Sequence, residues 1–193
     1  MRWSVYAVAI LIAASLDASV GSLFAVGELR GQFLPAVVVF ALLAAPRKLG
    51  VRIAMLGGLV ADLLSPVVLP TQEVLIVPGP RALGFALGAL AVIQLRSLLY
   101  RQNPLAGSAA TFVFSLLAAV AFVFIFSIRS LVLDGGAPWW PGSGAGEVWR
   151  RFLGAIGDGI LALPTLWLLG KTRSIWAFTT ATRVSPGLAR QSG

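Results

Sequence analysis

The chain of 193 residues contains no cysteine and no histidine. Without cysteine it can form neither a disulfide framework nor a thiolate metal site. Without histidine it lacks every mechanism that needs an imidazole base or ligand, including Ser-His pairs and most zinc hydrolysis. The sequence also has no phosphate-binding loop, nucleophile elbow or dinucleotide fingerprint. We therefore predict that the protein is not an enzyme and has no cofactor, no metal site and no catalytic residue.

Charged residues are scarce as well. They make up 11% of the chain, against about a quarter in an ordinary soluble domain. Hydrophobic residues make up 58%, and the mean hydropathy of +0.91 leaves too little polar sequence to cover a water-facing surface. The net charge is +8, but the basic residues lie between apolar runs, which indicates membrane topology and not nucleic-acid binding. The composition predicts an all-α integral membrane protein in contact with the lipid bilayer.

Six apolar stretches approach the length of about 20 residues that a membrane span requires. They cover residues 3–26, 33–45, 49–64, 82–100, 105–133 and 148–169. The first is longer than the roughly 7–15 apolar residues of a signal peptide, so we interpret it as a retained helix. Only Pro46-Arg47-Lys48 separates the second stretch from the third, which predicts an antiparallel helical hairpin. Residues 66–80 are too short to cross and are predicted to lie at the membrane surface or between helices.

The distribution of basic residues predicts that both termini are cytoplasmic. With six spans in this orientation, ten of the fifteen basic residues face the cytoplasm and no acidic residue accompanies them, as the positive-inside rule requires. Arg96, near the cytoplasmic end of the fourth span, is expected to extend to the interface as an anchor. Residues 1–175 are predicted to form one polytopic transmembrane domain, and residues 176–193 a mobile, basic cytoplasmic tail.

Three of the seven acidic residues, Asp17, Asp62 and Asp158, lie within predicted spans. A carboxylate near the bilayer centre costs roughly 2.5–3.5 kcal/mol, so each is expected to face a partner or a wet cavity. They could share a site that binds a cation, relays protons or forms a carboxylate dyad. The alternative is that each pairs with a nearby arginine or with helix-end amides. We favour the second interpretation because intramembrane acids need partners whatever their role.

Small residues in the third and fourth spans predict close helix contacts. Gly57 and Gly58 are adjacent in the third span, and Gly84 and Gly88 form a Gly-x-x-x-Gly pattern in the fourth. Such residues let two backbones approach each other. Packing within the chain is the more common use of this pattern, and docking of a partner helix is the alternative.

The third span carries a more specific pattern. Residues 57–65 read Gly-Gly-Leu-Val-Ala-Asp-Leu-Leu-Ser, which resembles the Gly-Leu-x-x-Asp-Leu-Leu-Ser signature of the rod shape-determining protein MreD family. The surroundings agree over residues 33–101: a proline-led span and a short basic turn precede the signature, and a Leu-Gly segment and a basic stretch follow it. In the family only a few residues separate the two motifs, whereas here residues 66–81 intervene.

The resemblance implies a non-enzymatic scaffold in the bacterial inner membrane that helps to position peptidoglycan synthesis during cell elongation. The expected partner is an MreC-like single-span protein, within a complex that includes MreB, RodA and a penicillin-binding transpeptidase. The implied fold has six transmembrane helices and is similar to the substrate-binding subunit of energy-coupling-factor transporters. The residues assigned a docking or structural role are Gly57, Gly58, Asp62, Ser65, Gly84 and Gly88. The alternative function is a vitamin-type small-molecule binding subunit, which predicts a cavity lined by convergent polar groups.

Overall fold

The structure, a computed structural model, describes residues 2–19, 31–68, 74–96, 104–132, 138–139 and 144–176. Six helices account for most of these residues. They are α1 (Trp3–Ser19), α2 (Phe33–Ala44), α3 (Arg47–Leu64), α4 (Pro80–Leu95), α5 (Pro104–Val132) and α6 (Gly144–Lys171). The predicted helical fold class is therefore confirmed for the part of the chain that the structure describes.

Two of these helices, α5 with 29 residues and α6 with 28, are each long and apolar enough to cross a membrane. The apolar helices α1, α2 and α4 are shorter, with 17, 12 and 16 residues. At 1.5 Å per residue α2 is only about 18 Å long, against about 30 Å for a bilayer core. The fifth and sixth predicted spans thus correspond to helices of sufficient length. The first predicted span continues to residue 26, and its last residues lie outside the described ranges.

Helix α2 lies at the centre of the bundle. It is apolar on every side, and residues 34–42 are all buried. It packs against α1, α3, α4, α5 and α6. Only Ala45 and Pro46 separate it from α3, and Pro46 occupies the N-cap position of α3, where its missing N–H leaves no donor unsatisfied. The predicted hairpin of α2 and α3 is confirmed.

The helices alternate in direction, so the bundle has two distinct ends. At the end that we call the aspartate end, α1, α3 and α5 finish and α2, α4 and α6 begin. We call the other end the hairpin end, because the α2–α3 connection lies there, near the last turn of α4. The chain start also reaches the hairpin end, where the Arg2 N–H donates to the Trp176 carbonyl at 3.1 Å.

The segment between α3 and α4 adds a small element that a purely helical prediction omitted. Strands β1 (Val67–Val68) and β2 (Val74–Leu75) pair antiparallel, with Val67 opposite Leu75 and Val68 opposite Val74. The β-branched valines favour this extended backbone. Gly79 then adopts a φ of 125°, which favours glycine, and Pro80 starts α4 at a position where proline is well tolerated.

Two predictions about charged and terminal residues need correction. Arg96 does not extend to an interface: it is buried, and its guanidinium donates to the carbonyls of Ala45 and Leu42 at 2.5 and 3.3 Å.

Trp176, assigned to the tail, is buried in the core with its ring centroid 5.1 Å from that of Phe40. Burial of the large indole stabilises this position, and the folded domain therefore extends at least through residue 176. Residues 177–193 lie outside the described part of the chain.

Candidate functional site

Two of the three predicted intramembrane acids meet at the start of α2. Asp17, near the end of α1, accepts the Phe33 and Leu34 N–H groups at 2.6 and 3.1 Å. Asp158, from the middle of α6, accepts the Gln32 N–H at 2.7 Å. Two carboxylates from different helices thus satisfy three successive amides that no turn of helix can satisfy. Negative charge at a helix N-terminus is also favourable for the helix dipole.

The opposite end of α2 is held by a cation. The Arg96 guanidinium lies on the last carbonyls of α2, as described above, and positive charge is favourable at a helix C-terminus. Helix α2 therefore has carboxylates from α1 and α6 at its start and a guanidinium from the end of α4 at its finish. This arrangement explains the charged side chains in an apolar bundle, because the end groups of a short central helix lie among neighbouring helices, which supply their hydrogen-bond partners.

Asp62 performs the corresponding role for α4. Its carboxylate accepts the Gly79 N–H at 2.8 Å, the Arg81 N–H at 3.1 and 3.2 Å and the Ala82 N–H at 3.3 Å. The residue is buried. Its side chain caps the first turn of α4, although it comes from α3 and not from the residue preceding the helix. Asp62 and the pair formed by Asp17 and Asp158 thus cap different helices.

The four glycines singled out from the sequence contact the chain's own helices. A Cβ atom on Gly57 would lie 2.6 Å from Val38 Cγ2, and one on Gly58 would lie 2.5 Å from Ala82 Cα. On Gly84 and Gly88 it would lie 2.8 and 2.9 Å from the carbonyl oxygens of Ala118 and Phe114. These glycines allow α3 to approach α2 and α4, and α4 to approach α5. Their faces are already covered, so the packing interpretation holds and a partner helix cannot occupy them.

The signature segment and the Leu-Gly segment touch directly despite the residues inserted between them. Gly58 lies against the backbone of Arg81 and Ala82, and Asp62 caps the same turn. Ser65, the last residue of the signature, is the C-cap of α3, and its N–H donates to the Ala61 carbonyl at 3.1 Å. The inserted segment forms the β1–β2 ladder without separating the two motifs.

A cavity of about 510 Å³ lies beside these capping groups at the aspartate end. Residues of α3, α4, α5 and α6 and the start of α2 line it. Its polar side chains are those of Gln32, Arg81, Ser115, Arg150, Arg151 and Asp158. Apolar lining comes mainly from Pro35, Phe85, Ala118 and Phe122. The volume of the cavity is within the range of small-molecule pockets, and its lining contains more charged side chains than is usual in them.

The arginines of the cavity are held in defined positions. Glu147, in the first turn of α6, pairs with Arg150 at 2.7 Å and with Arg151 at 2.8 Å. The Arg151 guanidinium lies over the Phe122 ring, 4.0 Å from its centroid, and that of Arg81 lies 5.9 Å from the same centroid. Arg81 also donates to the Ala61 carbonyl at 2.9 Å.

Sequence reasoning identified the acids and glycines but not the cavity. The sequence placed Arg81, Arg150 and Arg151 on the outer side as candidate partners of the intramembrane acids, but not around a common cavity. Their positions at helix starts, next to spans that carry acids, were the available signal, but the sequence does not show that α4 and α6 converge on Phe122. Among the described residues, no group of three or more acidic side chains has the geometry of a metal site.

No protein-family model, curated protein or solved structure matches this chain.

Proposed function

We propose that the protein is a multi-pass membrane scaffold of the MreD type, which docks an MreC-like single-span protein and helps to position peptidoglycan synthesis. The observation that carries the proposal is the direct contact between the signature in α3 and the Leu-Gly segment in α4. Gly58 and Asp62, both signature residues, contact the backbone that begins α4. The inserted residues, the main departure from the family pattern, leave this contact intact. The two motifs that carry the resemblance are therefore in contact in this fold.

The proposal places the bundle in the bacterial inner membrane with six crossings and both termini inside. Large apolar side chains point away from the bundle on five of the helices, among them Leu11, Leu59, Leu87, Phe124 and Ile160. A soluble protein rarely exposes apolar surface on this scale, whereas lipid covers it at no cost. In this orientation the aspartate end faces outwards, and the shorter helices depend on flanking residues to complete their crossings.

The docking surface in this proposal is an exposed apolar helix face and not the glycine pattern. Gly57, Gly58, Gly84 and Gly88 are buried between helices, so their role is to set the spacing of α2, α3, α4 and α5. Asp62 likewise has a structural role, since its carboxylate is occupied by the α4 amides. In this proposal the glycines and Asp62 hold the helices together, and the exposed apolar face binds the partner.

Co-purification tests the proposal. The tagged chain is co-expressed with the MreC-like protein of the same organism, extracted in mild detergent and analysed by size-exclusion chromatography. We expect a stable complex of the two proteins, and no complex with an unrelated single-span protein expressed at the same level. A chain that elutes as a single folded species without the MreC-like protein would contradict the scaffold function.

A second candidate function is favoured by one observation, the cavity lined by convergent polar groups. A vitamin-type binding subunit of a membrane transporter requires such a cavity, and its fold is similar to the one the resemblance implies. Thermal stabilisation of the purified chain by one member of a vitamin panel, together with failure to bind the MreC-like protein, would favour this function over the scaffold.

A further inference from the structure

Two like charges from different helices converge on one aromatic ring in the cavity. The guanidinium carbons of Arg81 and Arg151 lie 5.9 and 4.0 Å from the centroid of Phe122, so they are no more than about 10 Å apart. Arg150 lines the same cavity. Guanidiniums at this separation repel each other, and the repulsion is stronger next to apolar walls than in water. An anion between them would remove it.

The nearby carboxylates neutralise these arginines only in part. Glu147 is shared between Arg150 and Arg151. Arg81 interacts electrostatically with the Asp62 and Asp17 carboxylates, but among the residues that the structure describes no carboxylate lies within ion-pair distance of its guanidinium. Asp17 and Asp62 accept backbone N–H groups at the starts of α2 and α4. Asp158, the acid that lines the cavity, accepts the Gln32 amide. Several of the five N–H donors on each guanidinium therefore remain for a ligand.

The cavity has the size and the mixed lining of a ligand site. Its volume of about 510 Å³ is within the usual range of small-molecule pockets, roughly 300–1,000 Å³. Guanidiniums pair with phosphate and carboxylate groups through two parallel hydrogen bonds, which gives both affinity and orientation. Phe85, Ala118 and Phe122 provide an apolar wall beside the arginines. We propose that this cavity binds a ligand through its anionic group, a phosphate or a carboxylate, held by Arg81, Arg150 and Arg151.

This inference does not depend on the scaffold function, because a scaffold and a transporter subunit could each hold such a ligand.

Two sources could supply the anion: a lipid headgroup or a soluble compound. Calorimetric titration of the purified full-length chain, in a detergent without phosphate, separates them. The probes are dihexanoyl phosphatidic acid, inorganic phosphate and neutral dihexanoylglycerol. Saturable binding of the phosphatidic acid alone indicates a lipid ligand, and equal binding of inorganic phosphate indicates a soluble one. Equal binding of the neutral lipid would overturn the proposal.

Matched variants locate the site. Arg151→Gln and Arg150→Gln each remove one guanidinium, and we expect each to weaken anion binding by about tenfold or more. The Arg150 side chain is 61% exposed, so its variant retains the fold even if Arg151→Gln does not. Arg52→Gln makes the same change of charge on an exposed residue near the hairpin end and should leave the affinity within about twofold. Equal affinities for Arg150→Gln and Arg52→Gln, or no saturable binding to the unmodified chain, would refute the site.

Discussion

At the scale of single residues, this protein uses glycine where two backbones meet and a carboxylate where a helix begins. Gly58 is the clearest case, because its Cα faces the Arg81 carbonyl and the Ala82 backbone. A side chain there would meet main chain, which cannot rotate away as a flexible side chain can. Asp62, one turn later in the same helix, accepts the amides of the turn that Gly58 contacts. The two residues together fix the start of α4 against α3.

Gly58→Ala should therefore destabilise the protein by about 1–3 kcal/mol, because the added methyl group would lie 2.5 Å from Ala82 Cα. The control is Gly170→Ala in α6, where the new Cβ would have no neighbour within 4 Å beyond its own turn of helix. That change should be neutral or stabilising by up to about 1 kcal/mol, since alanine favours the helix. The measurement is the thermal unfolding midpoint in mild detergent. Equal midpoints for the two variants would show that the α3–α4 contact is looser than described.

At the scale of elements, α2 is unusual because side chains from other helices cap both of its ends. Most helices are capped by residues adjacent in sequence. Here the acceptors come from α1 and α6, and the donor at the far end follows α4. The reason is the length of α2: a helix of 12 residues that packs against five other helices ends beside their side chains, which reach its terminal N–H and C=O groups.

Asp17→Ala should loosen the first turn of α2 without unfolding the bundle. It removes the acceptors of the Phe33 and Leu34 N–H groups. We expect faster hydrogen exchange at those amides and a loss of about 1–3 kcal/mol of stability. Ser19→Ala is the control, because the Ser19 hydroxyl bonds only within α1, to the Ser15 carbonyl at 2.6 Å. Exchange at residues 33 and 34 that is the same in both variants would contradict the capping role of Asp17.

At the scale of the whole molecule, polar groups are concentrated at the aspartate end. The cavity, its arginines and three capping carboxylates all lie there. The hairpin end instead has the exposed basic residues Arg47, Lys48 and Arg52. In a membrane this polarity would orient the bundle with the hairpin end inside, as the charge distribution predicts. The cavity would then open outwards.

The absence of native cysteine makes this orientation directly testable. Ala145→Cys and Ser174→Cys place single thiols at exposed positions near the two ends of α6. In intact cells an impermeant maleimide should label position 145, and it should label position 174 only after permeabilisation. The unmodified chain, which has no thiol, gives the background. Labelling of both positions from outside, or the reverse pattern, would rule out the proposed direction of α6.

Much of the fold could be predicted from composition and pattern. The α2–α3 hairpin followed from two apolar runs separated by a proline and two basic residues, and the starts and ends of α5 followed from its continuous apolar sequence. The acids were recognised as needing partners. Their actual partners were not predictable, because Gln32 and Asp158 are 126 residues apart. The prediction for Arg96 was wrong for the same reason: the carbonyls that it caps lie at the end of α2, two helices earlier in the chain.

The capping of α2 has a consequence for how the chain is made. Helix α2 leaves the ribosome soon after Asp17, but Arg96 and Asp158 are synthesised much later. During this interval the Gln32 N–H lacks its acceptor, Asp158, and the carbonyls of Leu42 and Ala45 lack their donor, Arg96. The capping of α2 is thus complete only when Asp158 of α6 has been synthesised, and a chain that stops before this residue leaves the Gln32 N–H without its acceptor. Helix α6, the last helix that the structure describes, thus completes the first turn of α2, the second.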